Sequence, residues 1–114
     1  MNRRYLLIAL LLPTAASAQY VGPNAQASVT TAVAASKAAD DTPVMLEGVL
    51  VQQLKADRYE FRDRSGTITV EIDPEDFPKQ QVDATTPLRL YGEIDRDWAG
   101  MVEVDVERVE LLKP

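Results

Sequence analysis

Residues 59–73, reading YEFRDRSGTITVEID, constrain the fold of this chain more than any other stretch. Tyr59 and Phe61 alternate with Glu60 and Arg62, and Ile68, Val70 and Ile72 alternate with Thr69 and Glu71. A period of two means two strands, each turning one face to a core. Between them, Asp63-Arg64-Ser65-Gly66 sets Asp where a type I turn begins. Gly then stands where a positive φ would close a hairpin with a G1 bulge. The chain is thereby expected to be built around an antiparallel sheet with one wet face.

The same alternation recurs on both sides of this hairpin. Residues 44–54 form a long first strand with Val44, Leu46, Gly48 and Leu50 on one face, while Val49 and Val51 make the other face apolar too. A strand apolar on both sides bends across two sheets, and Gly48 is placed for the bend. Leu88, Leu90, Gly92 and Ile94 define a fourth strand, and Val102, Val104 and Val106 a fifth. The phase slips at Arg108, where Val109 and Leu111 resume inward, so a β-bulge is expected near Glu107 and Arg108. Asp73-Pro74-Glu75-Asp76 predicts one short helical turn, with Phe77 plugging the core. Ser28, as a cap, opens an alanine-rich helix over residues 28–39 that needs the sheet to stand on. Mainly β, with five strands, an N-terminal helix and a helical turn between strands three and four, the pattern predicts a small closed OB-fold barrel. An open meander with one helix on it is the other architecture.

The N-terminus sets the compartment. Arg3 and Arg4 precede an apolar run that breaks at Pro13, and Ala16-Ser17-Ala18 supplies small residues for cleavage before Gln19. That is a secretory signal peptide over residues 1–18, too short to span a membrane. Residues 19–27 then read as a flexible leader and 28–114 as one domain. The mature protein is expected in the periplasm, with no membrane insertion after cleavage. Export permits disulfides, yet Cys is absent, as is His. No thiol nucleophile, catalytic triad, imidazole base or Cys/His zinc site is available, so neither an enzyme nor a bound cofactor is expected. Cleavage reduces 12 basic residues to ten against 18 acidic ones, a net charge of −8. Such a field repels phosphate backbones and attracts cations.

In order and spacing, several segments resemble the bacterial OB-fold proteins of the YgiW/YdeI stress-tolerance group. They are Asp40-Asp41-Thr42, the strand Val44-Met45-Leu46-Glu47-Gly48, and the hairpin from Tyr59 through Gly66-Thr67-Ile68 to Asp73. Gly92-Glu93-Ile94-Asp95-x-Asp97-Trp98 and Glu103-Val104-Asp105-Val106 complete the match. The resemblance implies a periplasmic, non-enzymatic OB domain linked to envelope stress. It carries no catalytic residues to transfer.

Candidate binding residues cluster late in the chain. Glu93, Asp95, Glu103, Asp105 and Glu107 point outward from strands four and five, with Asp97 and Trp98 in the turn. Three readings are open: a solvated acidic face, a surface for a cationic peptide or polyamine, or a calcium site. Asp95-x-Asp97-x-x-Gly100-x-x-Glu103 echoes a calcium loop but lacks its third carboxylate and twelve-residue spacing. Trp98 either folds over the barrel mouth or stands exposed as a contact; a lone aromatic is seldom a whole site, which favours packing. Glu60 and Glu71 are expected on a different sheet face. Strands two and three offer no outward stacking aromatics, so nucleic acid is not an expected partner. The expected partners are cationic peptides or envelope components.

Overall fold

The computed structural model describes residues 27–112. The signal peptide expected over 1–18 and all but the end of the leader lie outside them. The alternation read from the sequence becomes five strands: β1 (Pro43–Lys55), β2 (Arg58–Asp63), β3 (Gly66–Ile72), β4 (Leu88–Arg96) and β5 (Val102–Leu111). They close into a barrel of order β1-β2-β3-β5-β4. All neighbours are antiparallel except β3 and β5, which run parallel through Val70↔Val104, Glu71↔Asp105 and Ile72↔Val106. Closure removes most of the unpaired edges that an open sheet would leave.

The bend in β1 makes that closure possible. Residues 43–48 pair with β4 and residues 49–55 with β2, so the strand changes partner at Gly48. A Cβ there would sit 2.2 Å from the Arg62 carbonyl oxygen and 2.7 Å from Phe61 Cζ. Only glycine fits this crossing. In β5 the register jumps from Gly92↔Val106 to Tyr91↔Arg108, leaving Glu107 unpaired as the expected bulge.

The core is the set of inward residues. Leu46, Phe61, Ile68, Val70, Ile72, Leu90, Ile94, Val104 and Val106 are buried, joined by Val44, Leu50 and Leu88. Tyr59 is only half-buried. Its ring stacks on Phe77 at 5.3 Å between centroids, and this pair closes one end of the barrel. The turn before Phe77 is a three-residue 3-10 helix, Pro74–Asp76.

Helix α1 (Ala32–Lys37) is shorter than the 28–39 expected from the alanine spacing. Val29 forms a parallel bridge to Val44, and the Met45 N–H donates to its carbonyl at 3.0 Å, which holds that residue outside the helix. Thr31 rather than Ser28 is the N-cap; its hydroxyl accepts from the Ala34 N–H. Asp63 Oδ2 and Ser65 Oγ, from the β2–β3 turn, accept the Ala32 and Val33 N–H groups at 2.9 and 3.0 Å. At the other end Arg96 donates to the Ser36 and Ala38 carbonyls. Acid at the N-terminus and base at the C-terminus match the helix dipole. Barrel side chains thus hold both ends of a helix too short to persist alone. Asp63 Oδ1 also accepts from Ser65 and Gly66 within its own turn. The hairpin register reaches Asp63↔Gly66 without a shift, so the expected G1 bulge is absent.

Candidate binding face

Lateral pairing decides what the outer face presents. Arg58 is opposite Glu71, Glu71 opposite Asp105, and Asp105 opposite Glu93. Directly paired residues share a face, so one guanidinium and three carboxylates form a row across β2, β3, β5 and β4. Asp95↔Glu103 makes the next row toward the β4–β5 tip. Like charges directly opposite one another are destabilising.

Arg58 neutralises one end of this row. Its Nη1 lies 2.9 Å from Asp57 Oδ1 and 3.3 Å from Glu71 Oε2, and its Nε lies 2.8 Å from Glu103 Oε1. That Glu103 oxygen is buried without a hydrogen bond, because the Nε–H is not directed at it; the contact is one of charge. Burial opposes the charge on Arg58, but Glu103, Glu71 and Asp57 outweigh it and raise its pKa.

Away from Arg58 the acids act on one another. Burial raises the Asp105 pKa, with Asp73, Asp95 and Asp76 adding to it and Arg58 opposing. Glu107 is raised by burial and then by Glu93, Asp105 and Asp76. Glu71 is raised by burial, with Arg58 opposing and Asp105 and Asp57 adding. A carboxyl whose pKa is higher folded than unfolded binds its proton more tightly in the native state. Its protonation therefore stabilises the fold as pH falls toward the unfolded value. Asp63 has the opposite sign: burial raises its pKa, but hydrogen bonds from Ser65, Ala32 and Gly66 more than offset this. Its contribution is lost as pH falls through its depressed folded value. Thermal melts should thus show stability rising modestly from pH 7 toward about 5, then falling below about 4, where ordinary carboxylates titrate. A monotonic loss of stability from pH 7 downward would show that the face is not electrostatically crowded.

The structure sorts the expected site residues. Glu93, Asp95, Asp105 and Glu107 are exposed, as their parity predicts. Glu103 is not: its side chain is 24% exposed and paired with Arg58. Asp97 Oδ1 accepts the Ala99 and Met101 N–H groups at 2.9 and 3.0 Å, making it the brace of the β4–β5 turn. Asp95, Asp97 and Glu103 do not converge on one point. Among the described residues, the three acids whose oxygens lie within 4.8 Å of one another are Asp57, Glu71 and Asp73. Arg58 already bonds to two of them. Trp98 does not fold over the barrel, as a packing role would require; it is 97% exposed, beside Met101, itself 69% exposed. Glu71 stands in the acidic row rather than on another face. Glu60 stays off it and accepts from Gln52 Nε2 at 2.7 Å. Sequence reading missed Glu71, Asp73 and Arg58 as parts of this face. The signal was available in the barrel order, which sets β3 beside β5.

A closed barrel of five strands in this order is an OB fold. The model of the bacterial OB fold (BOF) protein family matches residues 11–111, and the chain belongs to that family. It is 49% identical over 106 residues to the calcium-regulated OB-fold protein CarO of Pseudomonas aeruginosa, covering 93% of this chain and 90% of that protein. It is 39% identical over 87 residues to the protein YgiW of Escherichia coli, covering 76% of this chain and 66% of that one. The solved structure of YgiW superposes with a TM-score of 0.69 over 75% of this chain and 90% of that structure. A chain of the Schizosaccharomyces pombe Stn1–Ten1 complex shares the fold at a TM-score of 0.60. At 17% identity, covering 77% of this chain and 78% of that one, it shows nothing further.

Proposed function

We propose that this is a non-enzymatic periplasmic protein that supports envelope stress tolerance by binding a cationic partner. That partner is a cationic peptide, an envelope polymer or an envelope protein. The observation carrying this reading is the lateral row Glu93–Asp105–Glu71, flanked by Asp95, Glu107, Asp73 and Asp76, with a single Arg58 at one end. A domain gains no stability from opposed carboxylates, whereas a cationic ligand relieves them. Trp98 extends the face at the β4–β5 tip, held out by the Asp97 turn, where its ring can receive a Lys or Arg head. The family relatives carry no enzymatic names, and the chain's lack of His and Cys agrees with that.

Calcium is the alternative occupant, and the CarO name connects that relative with calcium. The Asp95, Asp97 and Glu103 set is a poor ligand shell here, because Asp97 serves its own turn and Glu103 serves Arg58. The test is protection of a deletion strain against a cationic peptide. A variant carrying Glu93→Gln, Asp95→Asn, Asp105→Asn and Glu107→Gln should lose protection while melting at or above the wild-type temperature. Glu60→Gln should protect normally. Full protection by the four-amide variant would reduce the acidic face to a solubility device.

A further inference from the structure

One stretch of the barrel is paired on a single side. β4 starts at Leu88, opposite Gly48, so among the described residues 49–55 of β1 pair with β2 alone. Where β4 would continue, the chain instead swings away through residues 82–84. A cleft of about 390 Å³ is left between that loop and β1. Leu50, Val51, Gln52 and Gln53 line one side, Val82, Asp83 and Ala84 the other, with Tyr59 and Phe77 also lining it. The cleft therefore combines unpaired strand backbone with an aromatic and aliphatic wall.

Its sequence is not that of a guarded edge. Natural sheets blunt open edges by sequence, with Lys, Pro or inward-pointing charges, and by shape, with bulges or a covering loop; here only the second kind is present. Residues 49–54, VLVQQL, contain no charge and no proline, and Leu54 is 47% exposed. Two irregularities do occur, between Leu50 and Gln52 and between Gln53 and Lys55. They curve β1 rather than leaving a long flat edge, which disfavours a sheet-to-sheet dimer. The loop at 82–84 lines the opposite side of the slot and narrows it. A single slim strand fits both constraints.

We infer that the β1 edge over residues 49–54 is a docking slot for an extended peptide of a partner protein, which adds as a strand in the place β4 vacates. Main-chain hydrogen bonds to β1 supply binding, and one apolar side chain of the peptide packs on Val82 and on the outer side of the stacked Tyr59–Phe77 pair. The peptide is apolar at alternate positions, because its side chains alternate between the cleft and solvent. It carries a basic residue, because Asp83 is the charged side chain among those lining the slot. The slot lies apart from the acidic row, so either proposal can fail while the other stands.

Peptides enriched on the full chain from a phage-displayed random library provide the probe. The selected peptide should shift the backbone amide resonances of residues 49–54 and slow their hydrogen exchange. N-methylation at alternate positions of the peptide should weaken binding about tenfold or more in one parity and little in the other, since alternate N–H groups face opposite edges. Phe77→Ala should weaken the same peptide, whereas the four-amide variant of the acidic row should retain its binding beyond a general charge effect. Failure to enrich any peptide that shifts residues 49–54, or equal sensitivity to both N-methylation parities, would overturn the proposal. Concentration-dependent shifts of the same amides without peptide would assign the edge to a second copy, which also overturns it.

Discussion

Val70→Asp should abolish the folded state. Val70 is fully buried, pairs with Tyr59 on one side and Val104 on the other, and has only apolar neighbours within the core. An unpaired carboxylate placed there must either lose its charge or lose its hydration, at a cost of several kcal/mol. That is comparable to the roughly 5–15 kcal/mol that holds a domain of this size together. Circular dichroism should show no cooperative thermal transition. A mutant that melts near the wild-type temperature would mean that β3 carries the opposite phase.

Gly48→Ala should destabilise the fold less completely and for a different reason. The added methyl would meet the Arg62 backbone oxygen at 2.2 Å, and backbone, unlike a flexible side-chain end, has little room to give. Overpacking of this kind costs about 1–3 kcal/mol where neighbours relax, and more where they do not. For a domain this small, the melting temperature should fall by about 5–20 °C. Because the crossing at Gly48 sets both the β1–β4 and the β1–β2 register, hydrogen exchange should quicken in all three strands together. A loss confined to β2 would show that the strand change does not depend on this close approach.

These two positions mark what the sequence makes legible. Val70 follows from strict alternation, since one apolar residue in two over seven positions leaves a single phase that buries them. Gly48 follows from a strand apolar on both faces, and the bulge at Glu107 from a phase slip in β5; both are local signals. The length of α1 was not legible. Val29 is held extended by Val44, fifteen positions on, and the helix ends rest on Asp63, Ser65 and Arg96. No local propensity encodes those partners. The acidic row divides in the same way. Glu93 and Asp105 meet across a hairpin and can be read in advance, whereas Glu71 reaches Asp105 only through the non-local parallel pairing of β3 and β5. Trp98 runs against the general tendency of large aromatics to be buried, standing exposed in the turn that Asp97 braces.

The depressed and raised carboxyls also give the binding proposal a pH sign. A cation seated on Asp105, Glu107 and Glu71 favours their charged forms and lowers their pKa values, so complex formation releases protons and tightens as pH rises. The fold itself gains from protonating those groups. Stability and the proposed binding are therefore opposed across the mildly acidic range.

Calorimetric titration of the protein with a synthetic lysine-rich peptide at increasing salt tests the proposed electrostatic recruitment by the acidic row. Affinity should fall steeply with salt, because charges exposed on this face are screened over about 8 Å at physiological ionic strength. The four amide substitutions at Glu93, Asp95, Asp105 and Glu107 should weaken binding and flatten the salt dependence. Binding that ignores salt, or that the amide variant retains at wild-type strength, would contradict electrostatic recruitment.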